Sequence, residues 1–129
     1  MNYEEKVFIT GSSGGIGSSI TKKFIDVGYK LILTSSSKEK LSTMKNEYGD
    51  LHNYYHLDLS DLSSLTSRMN EISNEHPDIS ITIHCAGLII VPESTSNPYK
   101  YYEENLIKSI HLFKNLLNLD KNNLIFSST

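Results

Sequence analysis

The chain has 129 residues, which is enough for one domain of ordinary size and too little for two. A formal net charge of −3, without a cluster of Lys and Arg, excludes the usual pattern of a nucleic-acid-binding domain. The single cysteine excludes an internal disulfide, no segment resembles a signal peptide, and no apolar run approaches the length of a membrane span. We therefore expect a cytoplasmic protein with no membrane partner, no nucleic-acid partner and no metal site.

The first predicted elements are a strand, a glycine-rich segment and a helix. A β-rich run at residues 7–9 leads into the glycine-rich segment. Apolar residues then recur at steps of four, four and three, which predicts one apolar stripe of a helix that Gly28 ends. The residues of this stripe are Ile16, Ile20, Phe24 and Val27.

Two further strand–helix pairs follow along the chain. The apolar run at residues 29–34 precedes a group of serines, of which Ser37 is placed to cap a helix. The run at residues 54–57 predicts a third strand. A third helix then begins at Ser60 or Asp61, with apolar residues three and four positions apart.

The last predicted elements include the longest loop and the longest helix. Residues 79–84 predict a fourth strand, followed by a loop at residues 88–98 that contains two prolines. A helix is predicted at residues 101–119 and a fifth strand at residues 124–126. The apolar face predicted for this helix consists of Leu106, Ile110, Phe113 and Leu117.

Regular alternation of strands and helices predicts the overall architecture. Consecutive strands joined by helices must be parallel, because such crossovers return the chain in the same direction. Right-handed crossovers then place helices on both faces of the sheet. The sequence therefore predicts one α/β domain over residues 1–129, a doubly wound parallel sheet with strand order 3-2-1-4-5.

The glycine-rich segment between the first strand and the first helix is the main functional signal. It reads Thr-Gly-Ser-Ser-Gly-Gly-Ile-Gly at residues 10–17. A turn directly before a helix offers backbone N–H groups and the positive end of the helix dipole to an anion. It is not a P-loop, because no Gly-Lys-Ser/Thr closes it. A phosphate-binding turn is predicted, and a glycine turn without a ligand is the alternative.

The pattern Thr-Gly-x-x-x-Gly-Ile-Gly resembles the cofactor signature of the short-chain dehydrogenase/reductase superfamily, whose nucleotide-binding domain is a Rossmann fold. The resemblance implies an NAD(P) cofactor, a small-molecule substrate and, as in many relatives, a homo-oligomer. The turn residues that it assigns to the cofactor are Thr10, Gly11, Ser12, Ser13, Gly15, Ile16 and Gly17.

Two later segments extend the resemblance. Asp58 and Leu59 are similar to the pair that binds adenine in the family, although Asp58 is also placed to cap the third helix. Residues 84–87, His-Cys-Ala-Gly, resemble the family's Asn-Asn-Ala-Gly. Only Ala86 and Gly87 match, and we assign them to the cofactor site as well.

The family's catalytic residues are matched only in part. Asn105 lies where relatives often carry an Asn, and Thr129 resembles the catalytic Ser or Thr that ends the fifth strand. The family also needs a Tyr followed four positions later by Lys. None of the eight tyrosines has a Lys at that spacing. We therefore expect an N-terminal fragment of a longer enzyme that is inactive alone.

The end of the second strand bears on the choice of cofactor. A site that prefers NAD usually carries an acidic residue there, for the ribose hydroxyls. Residues 34–37 are Thr-Ser-Ser-Ser, and the first carboxylate comes at Glu39. Ser36 and Lys38 are predicted to tolerate or bind a 2′-phosphate. The sequence therefore favours NADP and leaves NAD open.

Several functions remain open from the sequence. The main hypothesis is the cofactor-binding part of an NAD(P)-dependent short-chain oxidoreductase that moves a hydride to or from a carbonyl or alcohol. The ending Phe-Ser-Ser-Thr at residues 126–129 also leans towards the extended branch of sugar-nucleotide epimerases and dehydratases. A non-catalytic NAD(P)-binding sensor and, less favoured, a Rossmann-like methyltransferase are the alternatives.

Overall fold

The computed structural model describes residues 5–87, 91–121 and 123–127. These residues form one parallel sheet whose members are Lys6–Thr10 (β1), Lys30–Ser35 (β2), Asn53–His56 (β3), Ile79–His84 (β4) and Leu124–Phe126 (β5). The strand order is β3-β2-β1-β4-β5, with every neighbouring pair parallel. The predicted α/β class and the predicted strand order are both confirmed.

Helices connect the strands and cover both faces of the sheet. They are Gly15–Val27 (α1), Lys38–Tyr48 (α2), Leu62–Glu75 (α3), Val91–Ser96 (α4), Pro98–Tyr102 (α5) and Lys108–Asn118 (α6), with a five-residue π-helix at Glu103–Ile107 between the last two. The chain leaves α1 through Gly28 at a φ of 99°, a conformation that glycine adopts with little strain. None of the helices within the described residues is long and apolar enough to cross a bilayer.

Two apolar layers lie on opposite faces of the sheet, because successive residues of a strand point to opposite sides. In β1, Phe8 packs with residues of α3 and α6, whereas Val7 and Ile9 pack with residues of α1 and α2. All three are at most 1% exposed. Burying a side chain of this size contributes about 1.5–3 kcal/mol. This central strand therefore anchors both layers and fixes the position of the glycine turn that follows it.

The predicted single helix at residues 101–119 is wrong in its bounds. The helical segment begins at Pro98, passes through the π-helix and ends at Asn118. Asn97 caps its start by accepting a hydrogen bond from the backbone nitrogen of Lys100 at 3.4 Å, and proline is well tolerated at a first helical position. The predicted loop at residues 88–98 also contains α4, while residues 88–90 lie outside the described part of the chain.

The apolar face predicted for this helix is also largely wrong. Leu106, Ile110 and Leu117 are 51%, 45% and 66% exposed, and only Phe113 packs against the core. The buried residues of α6 are Ser109, Leu112, Asn115 and Leu116. The segment has apolar residues on more than one side, and the π-helix breaks the helical period because its hydrogen bonds reach five residues instead of four. Periodicity alone could not select the buried side.

Candidate functional site

A cleft of about 310 Å³ lies at the carboxyl ends of β1, β2, β3 and β4. The glycine turn forms one wall, and residues after β2, β3 and β4 form much of the rest. Open α/β sheets bind their ligands outside the carboxyl ends of the strands, where neighbouring connections run to opposite faces. In this order that point lies between β1 and β4. The cleft therefore lies where the strand order places a ligand site.

Two close backbone approaches hold the glycine turn in shape. Gly11 has a φ of +65°, and a Cβ on this residue would lie 2.5 Å from the backbone nitrogen of Ala86. A Cβ on Gly17 would overlap the carbonyl oxygen of Gly11. Both positions therefore exclude a side chain. Gly15 differs, since a Cβ there would meet no described atom within 4 Å apart from its chain neighbours and its own helix backbone, so the space beside it is open within the described residues.

The start of α1 faces this turn with its backbone donors uncapped. Gly14 precedes the helix in an extended conformation, and no described side chain caps the N-terminus. Ile16 is 48% exposed, so it does not join the core stripe predicted for α1; Ile20 and Phe24 do pack there. Free N–H groups and the positive end of the helix dipole make such a terminus a site for a phosphate.

The polar side chains of the turn have different roles. The Ser12 hydroxyl is fully buried and donates to the carbonyl oxygen of Thr34 at 2.9 Å, so it ties the turn to β2. The Ser13 hydroxyl lines the cleft and lies 3.2 Å from the hydroxyl of Ser35. Thr10 also lines the cleft, but its hydroxyl is buried and contacts His84. Of these three residues, Ser13 both lines the cleft and is only partly buried.

The end of β2 presents serines and a lysine to the cleft. Ser36 and Lys40 line it, whereas Lys38 does not. Ser37 caps α2 as predicted and accepts a hydrogen bond from the backbone nitrogen of Lys40 at 3.3 Å. Residues two positions apart on a helix point in different directions, which is why Lys40 takes the place expected for Lys38. The sequence analysis missed Lys40, because helical spacing separates the two lysines but does not tell which of them faces the cleft.

At the end of β3, Asp58 and Leu59 both line the cleft. Asp61, not Asp58, caps α3, and its carboxylate accepts from the backbone nitrogen of Ser64 at 3.4 Å. The side chain and the backbone N–H of Ser60 donate to Asp58 and, as the main causes, lower the pKa of its carboxyl. Asp58 is therefore an ionised acceptor at the cleft and not a helix cap.

A buried histidine joins the two sides of the cleft. His84, at the end of β4, is 1% exposed. Its Nδ1 lies 2.5 Å from the Thr10 hydroxyl and its Nε2 lies 2.8 Å from the Ser109 hydroxyl. The ring stacks on Phe126 at 5.6 Å between centroids. Burial lowers the pKa of His84 to about 4, so the ring is neutral at physiological pH.

The hydrogen bonds determine which ring nitrogen of His84 carries the proton. Ser109 donates its single hydroxyl hydrogen to the carbonyl oxygen of Asn105 at 3.1 Å. The Ser109 oxygen must therefore accept from Nε2–H of His84, and Nδ1 accepts from Thr10. A continuous chain of hydrogen bonds thus runs from the glycine turn to the π-helix. Sequence reasoning missed this role, although a histidine ending an apolar strand was a signal for it.

Asn105 and Gly87 meet at the far end of the cleft. A Cβ on Gly87 would lie 3.0 Å from the side-chain oxygen of Asn105, so the small residue permits this close approach. Ala86 and Gly87 line the main cleft, and Asn105 lines a second cavity of about 410 Å³ with Tyr101 and Tyr102. Asn105 therefore lies between the two cavities. Thr129, the other predicted catalytic residue, lies outside the described residues.

The structure thus brings most of the predicted site residues to one cleft. Thr10, Gly11, Ser13, Ser36, Asp58, Leu59, Ala86 and Gly87 line it. Gly15, Gly17 and Ile16 belong to the adjoining helix start, and the side chain of Ser12 points into the core. Within the described ranges, no group of three His, Cys, Asp or Glu side chains is arranged to hold a metal ion.

Comparisons with known proteins agree with this fold. A family model described as short chain dehydrogenase matches residues 5–117. A UDP-glucose 4-epimerase of Yersinia enterocolitica is 35% identical over 127 residues, which cover 95% of this chain and 36% of that protein. The chain therefore spans about a third of the length of this curated relative.

Two solved structures have the same fold with different cofactors. A UDP-glucose 4-epimerase from Stenotrophomonas maltophila with bound NAD has a TM-score of 0.80 and 26% identity, over 97% of this chain and 37% of that one. A serine dehydrogenase complexed with NADP+ has a TM-score of 0.79 and 25% identity, over 94% and 52%. With the family match over most of its length, the fold and the glycine turn identify this chain as a member of the short chain dehydrogenase family.

Proposed function

We propose that this chain binds a nicotinamide dinucleotide in the cleft and is the cofactor-binding part of an NAD(P)-dependent oxidoreductase. The observation that carries the proposal is the uncapped N-terminus of α1, which opens onto a cleft that also holds the ionised Asp58. Both solved relatives described above were determined with such a cofactor. When bound, the cofactor supplies or accepts a hydride.

The residues of the cleft fit the parts of a dinucleotide. The open space beside Gly15 and the donors of the first turn of α1 suit a pyrophosphate. Asp58 is an acceptor for an amino group, such as that of adenine, and the N–H of Leu59 is its neighbouring donor. Ala86 and Gly87 line the cleft with small side chains or none. These residues would bind and orient the cofactor. For the chemical step we propose Asn105 and Thr129 as contributors in the complete active site.

We propose NADP as the preferred cofactor and keep NAD as the alternative. The described residues that line the cleft after β2 are hydroxyl-bearing and cationic, with no carboxylate among them. The cation is Lys40, and Lys38 lies two residues before it at the start of α2. A 2′-phosphate is favoured by a nearby ammonium and disfavoured by a carboxylate.

Titration of the purified chain with NADPH and with NADH, followed by fluorescence, tests both parts of the proposal. We expect saturable binding that is tighter for NADPH. Equal affinity would reject the NADP preference and keep the cofactor site. A folded sample that binds neither cofactor would reject the cofactor site itself.

A sugar-nucleotide epimerase is the second candidate function. It is favoured by the match to UDP-glucose 4-epimerase, which covers nearly the whole of this chain. Such an enzyme would use the same cofactor cleft, so cofactor binding does not separate the two candidates. Incubation of the complete enzyme with UDP-glucose and added NAD(P)+ does, because an epimerase forms UDP-galactose without net formation of NAD(P)H. A dehydrogenase forms no UDP-galactose, and it transfers a hydride to the added NAD(P)+ only from its own alcohol substrate.

A further inference from the structure

Two charged side chains enter the cleft from the helix that faces the glycine turn. Glu104 belongs to the π-helix and Lys108 begins α6, and both line the cleft. Their side chains are only 33% and 16% exposed. Since α6 packs on the face of the sheet opposite α1, these residues form a wall across from the phosphate-binding turn.

Glu104 and Lys108 are paired with each other. The Lys108 ammonium lies 2.5 Å from a carboxylate oxygen of Glu104, in the favourable order of an i,i+4 helical pair. An ammonium has three donors, so this bond leaves it the capacity to contact a further acceptor. The Ser60 hydrogen bonds chiefly lower the pKa of Asp58, and the positive charge of Lys108 adds to that effect across the cleft.

If this ion pair only stabilised the helix, its partial burial would add little to the free energy of unfolding. Surface pairs of this kind contribute about 0–1 kcal/mol, and partial burial adds a cost of desolvation. Both residues of this partly buried pair line the cleft, so the pair borders the space that a ligand would occupy. A ligand with a pyrophosphate brings negative charge to a site whose other described cationic lining residue is Lys40.

We propose that Lys108 is a cofactor-contacting residue that attracts the anionic dinucleotide from the side opposite the glycine turn, and that Glu104 lowers its affinity by neutralising part of the charge. This inference rests on the proposed function. It assigns to Glu104 and Lys108 opposite effects on binding, although both belong to one ion pair. A purely structural pair has no such asymmetry, because removing either partner breaks the same contact.

The test is the affinity of four variants of the chain for NADPH and NADH. We expect Lys108→Gln to weaken binding about tenfold and Glu104→Gln to tighten it about threefold, as expected for one charge gained or lost several ångströms from the ligand. Lys108→Arg keeps the charge and should keep the affinity. Lys114→Gln is the matched control, since Lys114 is an exposed lysine of the same helix that does not line the cleft.

Salt dependence and folding complete the experiment. Lys108→Gln should flatten the dependence of affinity on salt, while Lys114→Gln should not. Circular dichroism verifies that each variant is folded. Weaker binding in both charge-removing variants, or no change in either, would overturn the inference while the cofactor site stands. A folded wild-type chain that binds neither cofactor would overturn the proposed function and this inference together.

Discussion

The two walls of the cleft are held by different means. At the glycine turn the backbone decides the shape: Gly11 and Gly17 permit contacts that no side chain would allow. At the opposite wall, side chains decide it, through the buried chain of hydrogen bonds from Thr10 through His84 to Ser109. In the first wall Gly17 meets Gly11 within one short segment, and Gly11 meets the backbone of Ala86. The second depends on residues 74 and 25 positions apart.

The largest expected effect comes from a change in the glycine turn, the wall of the cleft whose shape the backbone determines. In Gly17→Ala the new Cβ would overlap the Gly11 carbonyl, so the turn must move. We expect the free energy of unfolding, measured with urea, to fall by about 3 kcal/mol or more. Gly15→Ala is the control, because its Cβ would enter space that is open among the described residues, and its free energy of unfolding should change by no more than about 1 kcal/mol. Equal losses in both variants would contradict the role given to Gly17.

The second prediction concerns the opposite wall, where His84 should make the free energy of unfolding depend on pH. Burial lowers the pKa of His84 to about 4 from the ordinary histidine value of 6.5. Between these values the unfolded chain binds a proton that the folded chain does not. The free energy of unfolding should therefore fall as the pH falls, by about 3 kcal/mol over this range from His84 alone.

Two other histidines also contribute to the pH dependence of stability, and their contribution must be separated from that of His84. Burial also lowers the pKa of His52 and, as the main cause, that of His76. Urea unfolding of the wild type and of His84→Asn, at about pH 7 and about pH 4.5, separates the contributions. The variant should be less stable at neutral pH and should lose less stability in acid. Parallel pH profiles would show that His84 does not carry this effect.

A smaller effect is expected where a side chain supports the backbone wall. Ser12→Ala leaves the carbonyl oxygen of Thr34 without its buried donor, and we expect a loss of about 1–2 kcal/mol. Ser18 also donates to a backbone carbonyl, that of Gly15, through an exposed hydrogen bond, so Ser18→Ala removes the same kind of bond from the protein surface. Calorimetric melting should show a clear decrease only for the Ser12 variant. A matching decrease for Ser18→Ala would argue against burial as the cause.

The smallest effect concerns the cofactor itself and rests on the proposed function. Lys40→Gln should weaken NADPH binding about fivefold, and Lys38→Gln less, since Lys40 lines the cleft and Lys38 does not. NADH binding should change little in either variant, because NADH lacks the 2′-phosphate. Paired fluorescence titrations measure all four affinities. A larger effect from Lys38 would restore the interpretation made from the sequence alone.

These contrasts explain which parts of the molecule could be predicted from the sequence. The strand order and the position of the turn follow from local patterns, because strand–helix alternation and glycine spacing are visible within short segments. The role of His84 could not be derived, because its partners Thr10 and Ser109 are distant in the chain. The buried side of α6 was mispredicted for the same reason: the sheet selects Leu112 and Leu116, and the period of the helix does not.

The π-helix at Glu103–Ile107 has a consequence for insertions and deletions. Each turn of a π-helix contains more residues than a turn of an α-helix, so this segment contains more residues than an α-helix that spans the same distance. Deletion of one residue there would allow the segment to become an ordinary α-helix while α6 keeps its packing against the sheet. Losing one within α6 would turn the residues that follow by about 100° and carry Leu116 away from the core. Within this helical segment, length variation is therefore best tolerated beside Asn105, at the boundary of the two cavities.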